Sequence, residues 1–161
     1  MSVPSWIPRP RVHRNKPSAQ QVKKRLEQTY GINYVRAADI SDQLFCEKKV
    51  ELRLLRPEIK KGASQLAGLA GHEELAAEAR PISRKELLKQ MASGKKVLLR
   101  ESLFSGRHRG IPIRGKPDIV YFDGMRPLFL VDYKFGTKRE AYPNHRLQVA
   151  LYGMLLHQNK F

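Results

Sequence analysis

The sequence predicts an α/β protein with helices in its first half, a mostly antiparallel meander of three strands after them, and a closing helix. Up to about residue 92, apolar residues recur at helical spacing between prolines and glycines that end helices. From residue 96 onward, three runs rich in β-branched and aromatic residues are separated by turn signals. The length of 161 residues allows one domain with a core of its own.

Residues 1–36 are predicted to form a basic, proline-rich N-terminal arm that is partly disordered, ahead of a core domain at 37–161. The arm either touches a nucleic acid backbone or is an incidental tail. Within it, residues 18–29 are predicted to form a short basic helix capped by Ser18, and residues 33–37 extended chain.

Three helices are predicted next. The first runs from about Asp42 to Leu55, is capped by Asp39 or Ser41, and stops at Pro57. Its helically spaced apolar residues are Leu44, Phe45, Leu52 and Leu55. The other two are an Ala/Leu-rich helix over 62–79 and a short helix over 84–91 that Ser83 caps.

The second half supplies the strands and the last helix. The turn signals are Ser105–Gly110 and Asp123-Gly124, and the resulting segments are strands at 96–104, 111–122 and 127–134, followed by a helix at 144–157.

The net charge of +16, from 31 Lys and Arg against 15 Asp and Glu, favours a polyanionic partner. Nucleic acid ranks first, an anionic membrane surface second, and a ribosomal structural role third. No apolar run approaches the roughly 20 residues that span a bilayer, so no spanning segment is expected, and no membrane partner is predicted. The N-terminus is no secretory signal, and the single cysteine allows no intrachain disulfide. An intracellular, cytoplasmic setting is therefore predicted.

The candidate chemistry lies in the strands. Asp132 and Lys134 are two residues apart, which places both side chains on one face of a strand. If the strand that contains Asp118 pairs with theirs, the two aspartates can converge on one metal ion. Carboxylate oxygens suit Mg²⁺ or Mn²⁺. Lys134 would then orient or deprotonate a water molecule, or stabilise charge that builds up on phosphorus.

These residues form a recognisable set: Gly115-Lys116-Pro117-Asp118, then Asp132-Tyr133-Lys134, then Gln148 and Tyr152 four residues apart on a helix. The pattern G-x-x-D, D-x-K and Q-x-x-x-Y resembles the PD-(D/E)XK nuclease superfamily, in its RecB-like branch. The resemblance implies a restriction-endonuclease-like core. Upstream, Gly71-His72-Glu73 and Arg100-Glu101 match as well. The segment 38–47 resembles the start of the RecB-like CRISPR adaptation nucleases, and of exonuclease V in DNA repair.

The resemblance implies a role for each position. His72, Asp118, Asp132 and the backbone carbonyl of Tyr133 would bind the metal. Lys134 would be the catalytic lysine, and Glu101 an accessory acid or a second-metal ligand, although Glu101 could also simply pair with a neighbouring Lys or Arg. Gln148 and Tyr152 would hold the DNA strand or buttress the site. Lys48, Lys49 and Arg53 are candidate phosphate contacts, although a solvated helix face looks the same.

The implied function is metal-dependent hydrolysis of phosphodiester bonds in DNA, as an exonuclease on single-stranded ends. A rival of another class is a catalytically silent DNA-binding adaptor or subunit with a nuclease-like fold. A third is a basic ribosome- or RNA-associated protein, which leaves the spacing of Asp118, Asp132 and Lys134 to chance.

The sequence departs from this family in two ways. Cys46 stands where these relatives have the first of four cysteines that hold an iron–sulfur cluster, but the three late cysteines are absent, so no cluster is expected in this chain. The last core strand, expected after the final helix, is also missing. We expect a truncated chain or one completed by a protein partner or oligomer; a reduced relative is the alternative.

Overall fold

The computed structural model describes residues 16–56, 82–134 and 140–161, together with single positions between the first two ranges. In that interval Leu66, Ala70, Gly71, Glu73 and Ala77 are helical. The rest of the predicted helix over 62–79, including His72, lies outside the described residues, as does the arm over residues 1–15.

Helix α1, Ala19–Tyr30, begins at Ser18 as predicted. The Ser18 side chain accepts a hydrogen bond from the backbone N–H of Gln21, and the Gln21 side chain accepts one from the backbone N–H of Ser18. This reciprocal pair satisfies two donors at the helix start. Gly31 ends the helix with φ +63°, in a left-handed conformation that glycine adopts without steric cost. Whether the arm and the core divide at residue 36 stays a prediction.

A short strand β1, Val35–Arg36, leads directly into helix α2, Ala37–Leu55. The predicted start of this helix was wrong by several residues, and neither Asp39 nor Ser41 caps it. Both residues lie in its first turns and are buried. Asp39 is bound by Arg36 and Arg53, and the Ser41 hydroxyl lies 3.4 Å from Gln148. The helix is interrupted at Cys46, whose backbone is extended (φ −164°, ψ 106°).

Helix α3, Arg84–Ala92, is capped by Ser83, which accepts a hydrogen bond from the backbone N–H of Glu86. It leads into two three-stranded sheets. The strands are β2 Lys96–Arg100, β3 Phe104–His108, β4 Ile111–Gly115, β5 Ile119–Asp123 and β6 Arg126–Val131. One sheet has the order β1-β4-β3 and the other β2-β5-β6, and every pair except β1-β4 is antiparallel.

The predicted strand at 96–104 is therefore divided between β2 and β3, and the one at 111–122 between β4 and β5, so that each contributes to both sheets. Glu101 has φ +49°, which ends β2, and Pro117, which has no N–H to donate to a ladder, follows β4. The predicted turn over 105–110 was also wrong in extent, because β3 continues to His108. The turn itself is Arg109-Gly110, with φ of +48° and +81°, as a two-residue hairpin turn requires.

Helix α4, Pro143–Gln158, packs against α2 and against β3, β4 and β6. Its Leu155 and Leu156 are buried in a core with residues of β2 to β5 and α3: Met91, Val97, Leu99, Phe104, Ile113, Val120 and Phe122. No strand follows α4 in the described chain. The predicted α/β class is confirmed, and these elements are consistent with the predicted restriction-endonuclease-like core. In the ranges that the structure describes, no helix is both long and apolar enough to cross a membrane.

Candidate active site

The two crossings between the sheets meet at one place. The chain leaves β2 at Glu101 and enters β5 after Asp118, and the backbone N–H of Glu101 donates to the carbonyl oxygen of Asp118 at 2.9 Å. This contact brings the two predicted acidic residues onto adjoining chain segments. Neither lies within a regular strand, although the sequence predicted both inside strands.

Strand pairing brings Asp118 and Asp132 together. Ile119 pairs with Val131 in the β5–β6 ladder, so Asp118 precedes one end of the ladder where Asp132 follows it. The backbone N–H of Tyr133 donates to Oδ2 of Asp118 at 2.5 Å, which continues the contact past the last paired residues. Asp132 and Lys134 thus lie just beyond β6 rather than on it, which corrects the predicted strand bounds of 127–134.

A side-chain network joins this strand end to α4. Oε1 of Gln148 accepts a hydrogen bond from Nζ of Lys134 at 3.0 Å, and Nε2 of Gln148 donates to Oδ1 of Asp132 at 3.1 Å. The same Nε2 lies 2.7 Å from the hydroxyl oxygen of Tyr152, one helical turn later. Nζ of Lys134 is also 2.5 Å from Oδ2 of Asp132. Gln148 therefore bridges the lysine and the carboxylate, and the predicted D-x-K and Q-x-x-x-Y groups form one cluster.

The cluster is buried on its carboxylate side and open on its lysine side. Asp118 is 5% exposed, and the Asp132 side chain is equally buried, whereas the Lys134 side chain is 41% exposed. Oδ2 of Asp132 makes its ion-pair contact with Lys134 outside hydrogen-bond geometry and has no hydrogen-bond partner. This buried oxygen meets the Lys134 ammonium but accepts no hydrogen bond, so it keeps capacity to bind a further cation.

The neighbouring acidic residues also affect the pKa of Tyr152. Burial raises the pKa of Tyr152 to about 12, against the lowering effect of its contact with Gln148. The negative charges of Asp132, Asp118 and Glu101 raise it further. The phenol therefore stays protonated at neutral pH. Gly115 gives the tyrosine ring its room, because a Cβ there would lie 2.7 Å from Cδ1 of Tyr152.

Glu101 lies within this field and forms an ion pair with Lys116, in the loop that precedes Asp118. Glu101 was predicted to be an accessory acid or to pair with a neighbouring Lys or Arg, but Lys116 was not predicted to be a site residue. Because Lys116 stands in the Gly115–Asp118 motif, its position was the signal that it lies near the site.

Helix α2 closes the cluster from the other side. The Ser41 hydroxyl is buried, donates to the carbonyl oxygen of Ala38 at 2.9 Å, and lies 3.4 Å from Oε1 of Gln148. From the sequence, Ser41 was predicted only to be a helix cap. No sequence signal connected it with Gln148, which lies 107 residues away.

The remaining predicted site residues lie on α2 at different distances from the cluster. Lys49 lines a cavity next to Lys134 and Gln148, with its Nζ 5.8 Å from the centre of the Phe45 ring. Lys48 forms an ion pair with Glu51 at 2.6 Å and lines a cavity on the α1 side.

Two further predicted residues of α2 have other surroundings. Arg53 forms ion pairs with Asp39 and Asp42, so its guanidinium is already held by carboxylates. Cys46 is a free cysteine at the interruption of α2.

The residues present fit a divalent cation. No group of three or more His, Cys, Asp or Glu side chains forms a complete metal site within the described ranges, and His72 lies outside them. The chemistry of Asp118 and Asp132 nevertheless suits a hard cation, since both are buried carboxylates and one oxygen of Asp132 lacks a hydrogen bond.

Comparison with known families agrees with this geometry. A sequence model of the PD-(D/E)XK nuclease superfamily matches residues 17–161, which include both sheets, the acidic pair and α4. No curated protein matches the chain. Members of this superfamily are generally phosphodiester hydrolases that use Mg²⁺ or Mn²⁺. The match covers nearly the whole sequence, and the chain belongs to the PD-(D/E)XK nuclease superfamily.

Proposed function

We propose that this protein is a metal-dependent deoxyribonuclease of the RecB-like branch, acting as an exonuclease on single-stranded ends. The observation that carries the proposal is the cluster of Asp118, Asp132, Lys134 and Gln148. It combines two buried carboxylates with the half-exposed Lys134 ammonium. The buried Gln148 amide bonds to both this ammonium and the Asp132 carboxylate. Binding alone does not require such an arrangement, whereas hydrolysis at phosphorus does.

In this proposal Asp118 and Asp132 hold Mg²⁺ or Mn²⁺, together with His72 and the backbone carbonyl of Tyr133. When bound, the cation would polarise the phosphate and lower the pKa of an attacking water molecule. Asp118 is held in place by the N–H of Tyr133. Tyr133 therefore has two uses, since its N–H orients one carboxylate while its carbonyl is the proposed ligand.

Lys134 is the proposed catalytic lysine. Oε1 of Gln148 and Oδ2 of Asp132 fix its ammonium group at the open side of the cluster. From there its N–H groups can donate to a phosphate oxygen as negative charge builds up, or orient the attacking water molecule. Gln148 and Tyr152 act as positioning residues. Because Tyr152 stays protonated, it adds no further negative charge where the phosphate must enter.

Basic residues next to the cluster supply backbone contacts. A second cavity, of about 310 Å³, ends at Tyr152 and is lined by Arg36, Arg114 and Lys116. The Arg114 guanidinium lies over the Tyr34 ring, 4.1 Å from its centre. Arg36 and Lys116 are already paired with Asp39 and Glu101. The Arg114 guanidinium is therefore the lining cation that best suits a phosphate of a strand continuing from the reactive bond, and such a contact carries little sequence preference.

The test uses end-labelled single-stranded DNA, duplex DNA and RNA of one sequence, each incubated with Mg²⁺, Mn²⁺ or EDTA. The expected result is metal-dependent loss of the single-stranded DNA from its end, and loss of cleavage in Asp132→Asn. Calorimetry of Mn²⁺ binding gives a second measurement, in which Asp132→Asn lowers the affinity by at least about tenfold. Stable substrate in every metal would overturn the proposal.

The second candidate function is a DNA-binding adaptor that does not cut. It is favoured by the net charge of +16, which accounts for nucleic acid binding without any cleavage. The same incubation separates the two, because an adaptor would bind the labelled strand without shortening it.

A further inference from the structure

We propose that a cavity between α2 and α4 binds one unpaired nucleobase next to the reactive phosphate, with Phe45 as its stacking surface. The cavity has a volume of about 480 Å³, and Lys134 and Gln148 of the catalytic cluster form part of its lining. A ligand that fills the cavity would therefore reach the proposed catalytic lysine. This inference rests on the proposed function and adds to it the part of the substrate that is recognised.

Part of the cavity wall is apolar and aromatic. Phe45 and Leu44 are 77% and 62% exposed, and they stand directly before the interruption of α2 at Cys46. Opposite them, at the start of α4, Tyr142 is partly exposed and its ring meets that of His145 edge to face, with centroids 5.4 Å apart. The sequence pattern placed Leu44 and Phe45 with the apolar residues of the helix, but their side chains are left in solvent.

The charges around the cavity indicate what it binds. Lys49 extends over the Phe45 ring, and Lys134 stands at the catalytic end, whereas Asp42 is the acidic residue in the lining. Asp42 is itself paired with Arg53. An aromatic surface between two lysines matches a nucleotide, whose base stacks while its phosphates meet the cations. Lys134 already pairs with Asp132, whereas a purely apolar partner would offer no anion to the Lys49 ammonium.

The strand form follows from this contact. In a duplex the faces of a base are covered by its stacked neighbours, so only an unpaired or frayed nucleotide offers a face to Phe45. The cavity would therefore favour a single strand over a duplex, without reading the identity of the base.

The experiment compares two oligonucleotides with the same phosphates: an oligothymidine and an abasic oligomer of equal length. Binding is measured by fluorescence anisotropy in EDTA, so that no cleavage occurs. Wild-type protein is expected to bind the oligothymidine about tenfold more tightly than the abasic strand. Phe45→Ala should remove most of that difference, and Phe45→Tyr should keep it.

The matched control is Phe129→Ala, which removes a different exposed phenylalanine, on β6. This variant is expected to keep the preference for bases. Both phenylalanines are exposed, so neither substitution opens a cavity in the core. Thermal unfolding verifies that each variant is folded. In cleavage assays, Phe45→Ala should raise KM by a similar factor and leave kcat within about twofold, since stacking is equal in the ground and transition states.

The outcomes separate this inference from the proposed function. Intact cleavage with an unchanged base preference in Phe45→Ala would overturn the stacking site and leave the nuclease standing. Base-dependent binding that Phe45→Ala removes, in a protein that never cuts, would support the site and overturn the nuclease. If Phe45→Ala instead changed only the oligomeric state, the cavity would be an interface between copies and the inference would be wrong.

Discussion

The amide oxygen of Gln148 accepts a hydrogen bond from the Lys134 ammonium at 3.0 Å. This contact ties a residue in the loop after β6 to the buried face of α4. The amide nitrogen of the same side chain donates to Asp132, so one planar group sets the distance between the lysine and the carboxylate. Both ends of the amide are needed for this arrangement, because an amide presents an acceptor and a donor side by side, whereas an ionised carboxylate only accepts.

Replacing Gln148 tests this bridge. Gln148→Glu keeps the size of the side chain but replaces the N–H donor that meets Asp132 with a second carboxylate oxygen. We expect the variant to stay folded and to lose about 100-fold or more in cleavage rate, measured under single-turnover conditions. Gln158→Ala is the control, since it removes a glutamine of the same helix that bonds to the backbone of Arg107. An active Gln148→Glu protein would contradict the bridging role.

The raised pKa of Tyr152 gives a dependence of stability on pH. The pKa is about 12 in the folded protein, against an ordinary value of 10.0 when unfolded. Because the folded state binds this proton more tightly, the contribution to stability is complete below pH 10 and is lost as the pH rises through about 12. Tyr152→Phe has no such proton, so the stability advantage of the wild type should shrink between pH 8 and pH 11. Urea unfolding at both pH values measures it, and an unchanged difference would contradict the shift.

Arg53 is expected to act mainly on stability. Asp39 is 3% exposed and is bound by Arg53 and by Arg36, so removing Arg53 leaves a buried carboxylate with one cation fewer. Arg53→Met should lower the free energy of unfolding by about 2 kcal/mol. Arg56→Met, at the exposed end of the same helix, should change it by less than about 0.5 kcal/mol. Equal losses in the two variants, measured by urea unfolding, would contradict this account.

Lys48 and Lys49 were both predicted to contact phosphate, and their different surroundings now separate them. Lys49 lines the cavity next to Lys134, whereas Lys48 pairs with Glu51 and faces the α1 side. Lys49→Ala should weaken binding to single-stranded DNA and reduce the salt dependence of log K by about 0.7. Lys48→Ala should leave both within error. Equal effects in anisotropy titrations at several salt concentrations would contradict the assignment.

Much of the fold was predictable because local signals decide it. Ser18 and Ser83 begin their helices through hydrogen bonds to the next turn, which any sequence with this pattern can form. No local signal predicted that the strands at 96–104 and 111–122 would each be divided between two sheets. At Glu101 the chain turns through a left-handed conformation that a glutamate rarely adopts, and nothing in the neighbouring residues indicates it.

The candidate site shows the same contrast. The spacing of Asp118, Asp132 and Lys134 predicted that they converge, because strand pairing couples them. The resemblance to the nuclease motif added Gln148 and Tyr152 to the predicted site. The contacts of α2 depend on tertiary packing, so the sequence pattern treated Ser41 as a cap. It likewise grouped Leu44 and Phe45 with the packed residues of their helix, although both are exposed next to the cluster.

The most direct test of the central claim, that this cluster is a metal-dependent nuclease centre, is single-turnover cleavage of an end-labelled DNA strand in Mn²⁺ by wild type and Lys134→Ala. Binding of the same strand is measured in EDTA. The account predicts that Lys134→Ala binds DNA within about threefold of wild type, since the Lys134 ammonium is already paired with Asp132, while cleavage falls by about 1,000-fold or more. Undiminished cleavage by Lys134→Ala would contradict it.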